Sequence, residues 1–346
     1  MAQGDPVLFQ RSFKNTTGDG NIRALHKTIS VVSYRWVLLL FLSVIAIISA
    51  IVCTFVGPSN IFGIQFMETS KMSLILTQIR LPRVITSFIV GGGLAAAGAA
   101  MQGLFRNQLA DPYVIGTSSG GALGAAISLV IFHSFLLPFA AFCGACSSTI
   151  IVYIICRQNG KVAVETLLLS GIAISLFCSA MLSFLMYKSG NDLHQIMFWL
   201  MGGMWNATWD KVRIGLLVIP AIVILLFTVR ELDILSLGDD EASSLGVNTE
   251  RVKILLLAVT SFITGIAVSL AGSIGFIGLI VPHMVRYVSG SSFRFLLPIS
   301  ALTGGIILMW ADTLTRTFMN DMPVGIITAF FGAPFFIYLI RRRMWT

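Results

Sequence analysis

Long apolar runs recur along this chain at about 36–56, 84–104, 114–132, 135–156, 164–187, 212–229, 252–271, 295–314 and 323–340. Each approaches the roughly 20 residues that carry a helix through the hydrocarbon core of a bilayer. A shorter run, Ile274–Val288, is interrupted by Pro282 and is counted with them, because proline is tolerated in membrane helices. The pattern predicts an all-α polytopic membrane protein with ten transmembrane helices. One polar segment breaks it, Glu231–Arg251, with the sequence ELDILSLGDDEASSLGVNTER. Leu232, Leu235, Ala242 and Leu245 fall there at roughly helical spacing, and Gly238 and Gly246 punctuate the run. It is the longest internal polar stretch with order of its own; taken alone, despite its helical texture, it reads as a solvated loop between two helices. Leu193–Trp209 is aromatic, broken by glycine and too short to cross, and is expected at a membrane interface.

Composition strengthens this picture. The 346 residues are 56% hydrophobic and 11% charged, where soluble domains carry about 25% charged residues. A soluble enzyme or nucleic-acid-binding domain is excluded, and the net charge of +8 belongs in cytoplasmic loops. With ten spans and the N-terminus inside, 16 of the 23 Lys and Arg fall on inner segments. Both termini are therefore expected in the cytoplasm, with residues 1–34 as a polar tail rather than a leader, 35–346 as the membrane domain and 231–251 as a cytoplasmic loop.

Candidate chemistry is sparse. Cys143 and Cys146 have CxxC spacing, but no His or acidic residue stands beside them in their apolar run, so packing is expected. His283, after Pro282, has no second ligand at metal spacing, and no metal site is expected. The run Gly91–Gly103, GGGLAAAGAAMQG, has the small-residue spacing of close helix packing. No GxxxxGK[ST] occurs, so the chain holds no nucleotide loop of that type, and no catalytic constellation is visible. Arg80-Leu-Pro-Arg83 places two cations at a helix start, either snorkelling or offered to carboxylates of an external partner, with Arg316 on the same face. Asp111-Pro112 reads as a helix N-cap and first residue, whereas Asn107 and Leu109 have no evident local role. Asp312 is expected to pair with Arg316 four residues on.

Taken in order, several motifs resemble one family. They are Arg80-Leu-Pro-Arg83, the run from Gly103 to Tyr113 (GLFRNQLADPY), Gly116-Thr-Ser-Ser-Gly120, Trp199-Leu-Met-Gly202, Leu235–Gly246, the run from Gly275 to His283 (GFIGLIVPH), Ala311-Asp312 with Arg316, and Pro323-Val-Gly-Ile with Gly332-Ala-Pro334. Together they resemble the FecCD-type permeases, the membrane subunits of binding-protein-dependent ABC importers for iron-siderophores, haem and cobalamin. The resemblance implies the ten-helix fold of type II ABC importers, in the bacterial cytoplasmic membrane. Its implied partners are a second permease (a copy or a relative), two cytoplasmic ATPases that bind ATP and Mg, and an extracytoplasmic substrate-binding protein. No cofactor is expected on this chain. The family's ATPase-coupling loop falls on Leu235, Leu237, Gly238, Asp240, Ala242, Leu245 and Gly246, with Leu237, Ala242 and Leu245 filling the ATPase cleft. Its binding-protein contacts fall on Arg80, Arg83 and Arg316, and its cytoplasmic gate on Asn107 and Leu109. Gln108 departs from the family's usual proline, and Glu165 stands near a small polar gate position or serves as a helix N-terminal charge. The implied function is import of an iron-siderophore driven by ATP hydrolysis on the partner, with haem or cobalamin as alternative cargo. An ion-coupled secondary transporter is the rival of another class. It would need ionisable groups inside the spans for ion coupling, and apart from Asp312 and Glu165, near span ends, the spans are almost free of carboxylates.

Overall fold

A computed structural model describes residues 34–57, 73–132, 134, 136–158 and 161–343. The expected tail falls outside it apart from Tyr34. The chain divides into two units at Val44 and Ile45. Of the first unit, residues 34–44 are described and are helical.

Helices stand on each of the ten predicted segments. They are α1 (Tyr34–Phe55), α2 (Leu81–Leu104, preceded by a π-helical turn Ile75–Arg80), α3 (Thr117–Ile131), α4 (Leu137–Cys156) and α5 (Val164–Lys188). A two-residue hairpin, β1 (Arg157–Gln158) and β2 (Lys161–Val162), joins α4 to α5, with Arg157 opposite Val162. Short helices follow, α6 (Leu193–Leu200) and α7 (Trp209–Gly215), then α8 (Val218–Phe227) and α9 (Val229–Leu235). The remaining elements are α10 (Asp239–Ser244), α11 (Thr249–Ala271), α12 (Ile277–Ser289), α13 (Phe293–Phe318) and α14 (Val324–Arg343).

Among the described residues, six helices are long and apolar enough to cross a membrane, and a seventh if the stretch from Trp209 to Leu235, bent by 55°, is one span. The expected count of ten crossings exceeds what helix length shows. Gly116, left-handed at φ 83°, delays the start of α3, which has 15 residues. Phe276 and Gly290, both at positive φ, bound α12 at 13 residues.

Helix α2 is the centre of the second unit, packed against α11, α12 and α13 and buried along nearly its whole length. The glycine run makes this possible. A β-carbon at Gly98 would overlap the carbonyl of Gly278 in α12, and one at Gly91 would overlap that of Gly304 in α13. Backbone-to-backbone approach of this kind maximises dispersion contact where lipid offers no hydrophobic drive between helices. Helices α5 and α14 differ, presenting large apolar side chains such as Leu176, Phe177, Phe330 and Phe331 on their outside. Antiparallel α2 and α13 thus hold a polar cluster at each end, around Arg83 at one and around Asp239 at the other.

Candidate functional site

The polar segment folds into two short helices joined by glycine turns. Gly238, at φ 142°, lets α9 end and α10 begin at once, a conformation that L side chains rarely adopt. Helix α10 carries Asp239, Asp240 and Glu241 in its first turn, where the helix dipole favours acids. It closes with a Schellman pair. Gly246, at φ 83°, donates to the Ser243 carbonyl (3.0 Å), and Val247 donates to that of Ala242 (3.0 Å).

The side chains divide sharply. Leu237 and Leu245 are 64% and 62% exposed on this otherwise polar surface. Asp240 and Glu241 are exposed beside them, while Leu235 is fully buried. Ala242, expected to fill a partner's cleft with the leucines, is instead wholly buried. It occupies the position in the Schellman turn that packs inward beneath Val247. The remaining acids face the chain itself. Asp233 accepts from the Phe293 amide (2.9 Å) and the Ser292 hydroxyl (3.2 Å), so a carboxylate of α9 caps the start of α13. Asp239 pairs with Lys253 (2.7 Å) and lies 3.6 Å from Arg106.

The loop from α2 to α3 lies beside this segment through Arg106. Asn107 has a local role that its sequence context did not show, since its side-chain oxygen accepts from the Leu109 amide (3.0 Å). Such an Asx turn stabilises the loop without the proline that Gln108 replaces. Asp111 is not the helix N-cap expected of it: it accepts from the Tyr113 amide (2.8 Å) within a turn, and α3 begins only at Thr117, after the left-handed Gly116. Burial pushes its carboxyl up to about 6, and the Tyr113 amide opposes this only in part. Leu109 is partly exposed, and Glu165 is exposed in the first turn of α5, a favourable place for an acid.

The arginines at the other end are not displayed as expected. Arg80, Arg83 and Arg316 are all buried. Arg83 grips Asp312 with two nitrogens, Nε to Oδ2 at 2.8 Å and Nη2 to Oδ1 at 2.9 Å, and reaches Asp321 at 2.6 Å. The Arg316 Nη2 donates to the carbonyls of Cys53 (2.6 Å) and Val56 (3.0 Å), and the Arg80 Nη1 to that of Phe55 (2.8 Å). Asp312 therefore pairs with Arg83 on another helix, not with Arg316 on its own. The physical reason is the bidentate fit of guanidinium to carboxylate across α2 and α13, together with the open carbonyls at the end of α1. These cations hold three helices together, and a partner could reach them only if that end rearranged.

His283 is buried and stacks edge-on against Tyr287, with ring centroids 5.2 Å apart. All five cysteines are free thiols.

The FecCD transport family matches residues 31–342. The chain belongs to the FecCD transport family. Its FecCD relatives include the cobalamin import system permease protein BtuC of Halobacterium salinarum, 46% identical over 81% of this chain and 77% of the relative. The Fe(3+)-citrate import system permease protein YfmE of Bacillus subtilis is 39% identical, covering 88% of this chain and 92% of its own. The hemin transport system permease protein HmuU of Yersinia pestis is also 39% identical, over 88% and 95%. A solved structure, an inward-facing conformation of a transporter assigned to the metal-chelate ABC type, is 30% identical with a TM-score of 0.81, covering 88% of this chain and 98% of that one. The FecCD resemblance read from eight short motifs is thus shown along most of the chain. Two groups escaped sequence reading, Lys253 and the Asp233 cap, because each meets partners remote in sequence.

Proposed function

We propose that this FecCD protein is the permease subunit of an ABC importer for a large metal chelate, with an iron-siderophore as cargo. The observation that carries the reading is the pairing of family membership with the exposed Leu237 and Leu245 on a polar two-helix segment. Isolated exposed leucines need no explanation, but two at the rim of a rigid, glycine-bounded helix suit insertion into a partner's groove. The chain has no GxxxxGK[ST] loop, so the energy has to arrive through such a contact. Two cytoplasmic ATPases holding ATP and Mg are the proposed partners there, with a second permease alongside and an extracytoplasmic binding protein at the opposite end. The segment 231–251 and both termini then lie in the cytoplasm, as the distribution of Lys and Arg favours. Ten crossings belong to the same reading, with α3, α12 and α14 completing the spans. At the outer end the three arginines shape the docking surface from beneath, while Asn320 and Asp321 stand exposed on it. Asn107 and Leu109 sit where the inner gate is proposed.

The ion-coupled alternative is disfavoured by the state of Asp312. A carboxylate locked against a guanidinium is poorly placed to take and release a proton. Cobalamin is the second reading for cargo, favoured by the 46% identity to the Halobacterium protein.

The test is uptake into liposomes carrying the chain with its ATPase and binding protein. Ferric citrate, haemin and cyanocobalamin serve as probes, and mass spectrometry identifies the ligand that co-purifies with the binding protein. ATP-dependent uptake that survives collapse of the proton gradient is the expected result. Uptake that follows the gradient and ignores ATP would overturn the reading.

A further inference from the structure

Lys253 lies one turn into α11 with its side chain only 2% exposed. Its ammonium has three N–H donors, and all three are used. They reach the Val162 carbonyl (3.1 Å), Asp239 Oδ2 (2.7 Å) and Glu250 Oε1 (3.2 Å). The other Glu250 oxygen accepts from the Val162 amide (2.8 Å), so both backbone groups of Val162 are held from the start of α11. One buried charge thereby links α10, the α4–α5 hairpin and α11.

The carboxylate of Asp239 has two unlike arms. Its Oδ2 is fixed on Lys253. Its Oδ1 is buried, makes no hydrogen bond among the described residues, and lies 3.6 Å from Arg106, too far for one. Arg106 itself sits at φ 50°, an uncommon conformation for a residue with a side chain, at the start of the α2–α3 loop. A small displacement of α10 would close this gap or widen it.

We propose that Lys253 is a positioning residue for transport. It fixes α10 to the hairpin and to α11, so that a displacement of α10 moves the α4–α5 connection with it. Arg106, closing on Asp239 Oδ1, carries the same displacement to the α2–α3 loop. The inference rests on the reading of Leu237 and Leu245 as the ATPase contact, and it adds the route by which that contact reaches the rest of the chain. A buried lysine that merely stabilised the fold would lower assembly, hydrolysis and uptake together. A transmitting lysine lowers uptake per ATP hydrolysed in complexes that still assemble.

The experiment compares Lys253→Met, Lys253→Arg and Arg106→Gln in the full ATPase and binding-protein complex in liposomes. Hydrolysis and uptake of whichever of the three probes the wild type takes up are measured side by side. Lys253→Met should lower uptake per ATP by about tenfold, equivalent to about 1.4 kcal/mol of coupling. Lys253→Arg should recover most of the loss. Arg106→Gln changes a half-exposed side chain, should assemble normally, and should lower the ratio by about threefold. The double variant should lower the ratio further than Lys253→Met alone, because the two cations carry the displacement to different loops. A proportional fall in hydrolysis and uptake, or wild-type coupling in an assembled Lys253→Met complex, overturns the inference. Should Lys253→Met fail to assemble, an unchanged ratio in Arg106→Gln overturns it. Absence of ATP-dependent uptake by the wild-type complex overturns the functional reading, and this inference with it.

Discussion

The two ends of α2 and α13 treat charge in opposite ways. Around Arg83 the ionised groups are sealed inside the chain apart from Asp321 at the surface, Arg83 being 6% and Asp312 1% exposed. Around α10 the network is half open, with Asp240 and Glu241 at the surface and two leucines projecting past them. The first arrangement pairs Asp312 within the chain, although Arg316 Nε and Nη1 are buried there without a hydrogen bond among the described residues. A bidentate ion pair away from water is costly to form and costlier to break, so it holds helices in one register. The second leaves apolar surface uncovered on a polar segment, which suits a surface that a partner covers and moves. A sequence motif marks both ends equally well, and burial tells them apart.

The comparison is most readily broken at the sealed end. Asp312→Ala leaves Arg83 buried without its main partner and should cost about 3–5 kcal/mol. The thermal unfolding midpoint of the purified protein should fall by several degrees, and an unchanged midpoint would show that the pair does not hold that end together. At the open end the effect should move from stability to partnership. Leu237→Asp with Leu245→Asp should leave stability within about 0.5 kcal/mol, since both positions are exposed. ATPase retention should fall by about tenfold or more, equivalent to about 1.4 kcal/mol. Co-purification with the ATPase reads this directly, and undiminished retention would contradict the proposed contact. The Asp233 cap also lies at the open end, where α9 meets the start of α13. Asp233→Ala should cost about 1 kcal/mol by freeing the first amide of α13, read as a smaller loss of thermal stability. The smallest effect is one of pH. Asp111 titrates higher in the folded protein than an ordinary carboxyl, so folding favours its protonated form. Its contribution to stability therefore falls as pH rises from the ordinary carboxylate range through about 6. Asp111→Asn keeps the acceptor for the Tyr113 amide but lacks this slope. The variant should gain on the wild type between pH 5 and pH 7.5 in paired unfolding scans, by a small margin because Asp111 is partly exposed.

Much of the fold was legible because its signals are local. An apolar run predicts a helix wherever the bilayer leaves no other way to satisfy the backbone, and ten segments are helical where ten were expected. Gly238 and Gly246 announced their turns because the required φ values exclude most side chains. The crossing number was less legible. Positive-φ residues at Gly116 and Phe276 delay helix starts inside runs that are apolar before those starts.

The sites show the same limit more clearly. Arg80, Arg83 and Arg316 look like surface cations because the sequence shows their charge and not their cover. Arg83 and Asp312 are 229 residues apart in the chain and meet only when α2 and α13 pack. Ala242 shares the helical spacing of its leucine neighbours, yet the Schellman turn rotates it inward. Lys253 reads as one more polar residue at a helix start until α10 and the hairpin close over it.

The sequence by itself determined the class of molecule, the placing of its helices, the turns of the polar segment and the family. Each follows from composition, periodicity or motif order within a short window. Only the tertiary structure decided which charges face inward, which leucines stay outside and which three elements share one ammonium. Burial and ion pairing depend on distances between segments far apart in the chain, and in a low-dielectric interior those distances decide whether a charge stabilises, destabilises or transmits.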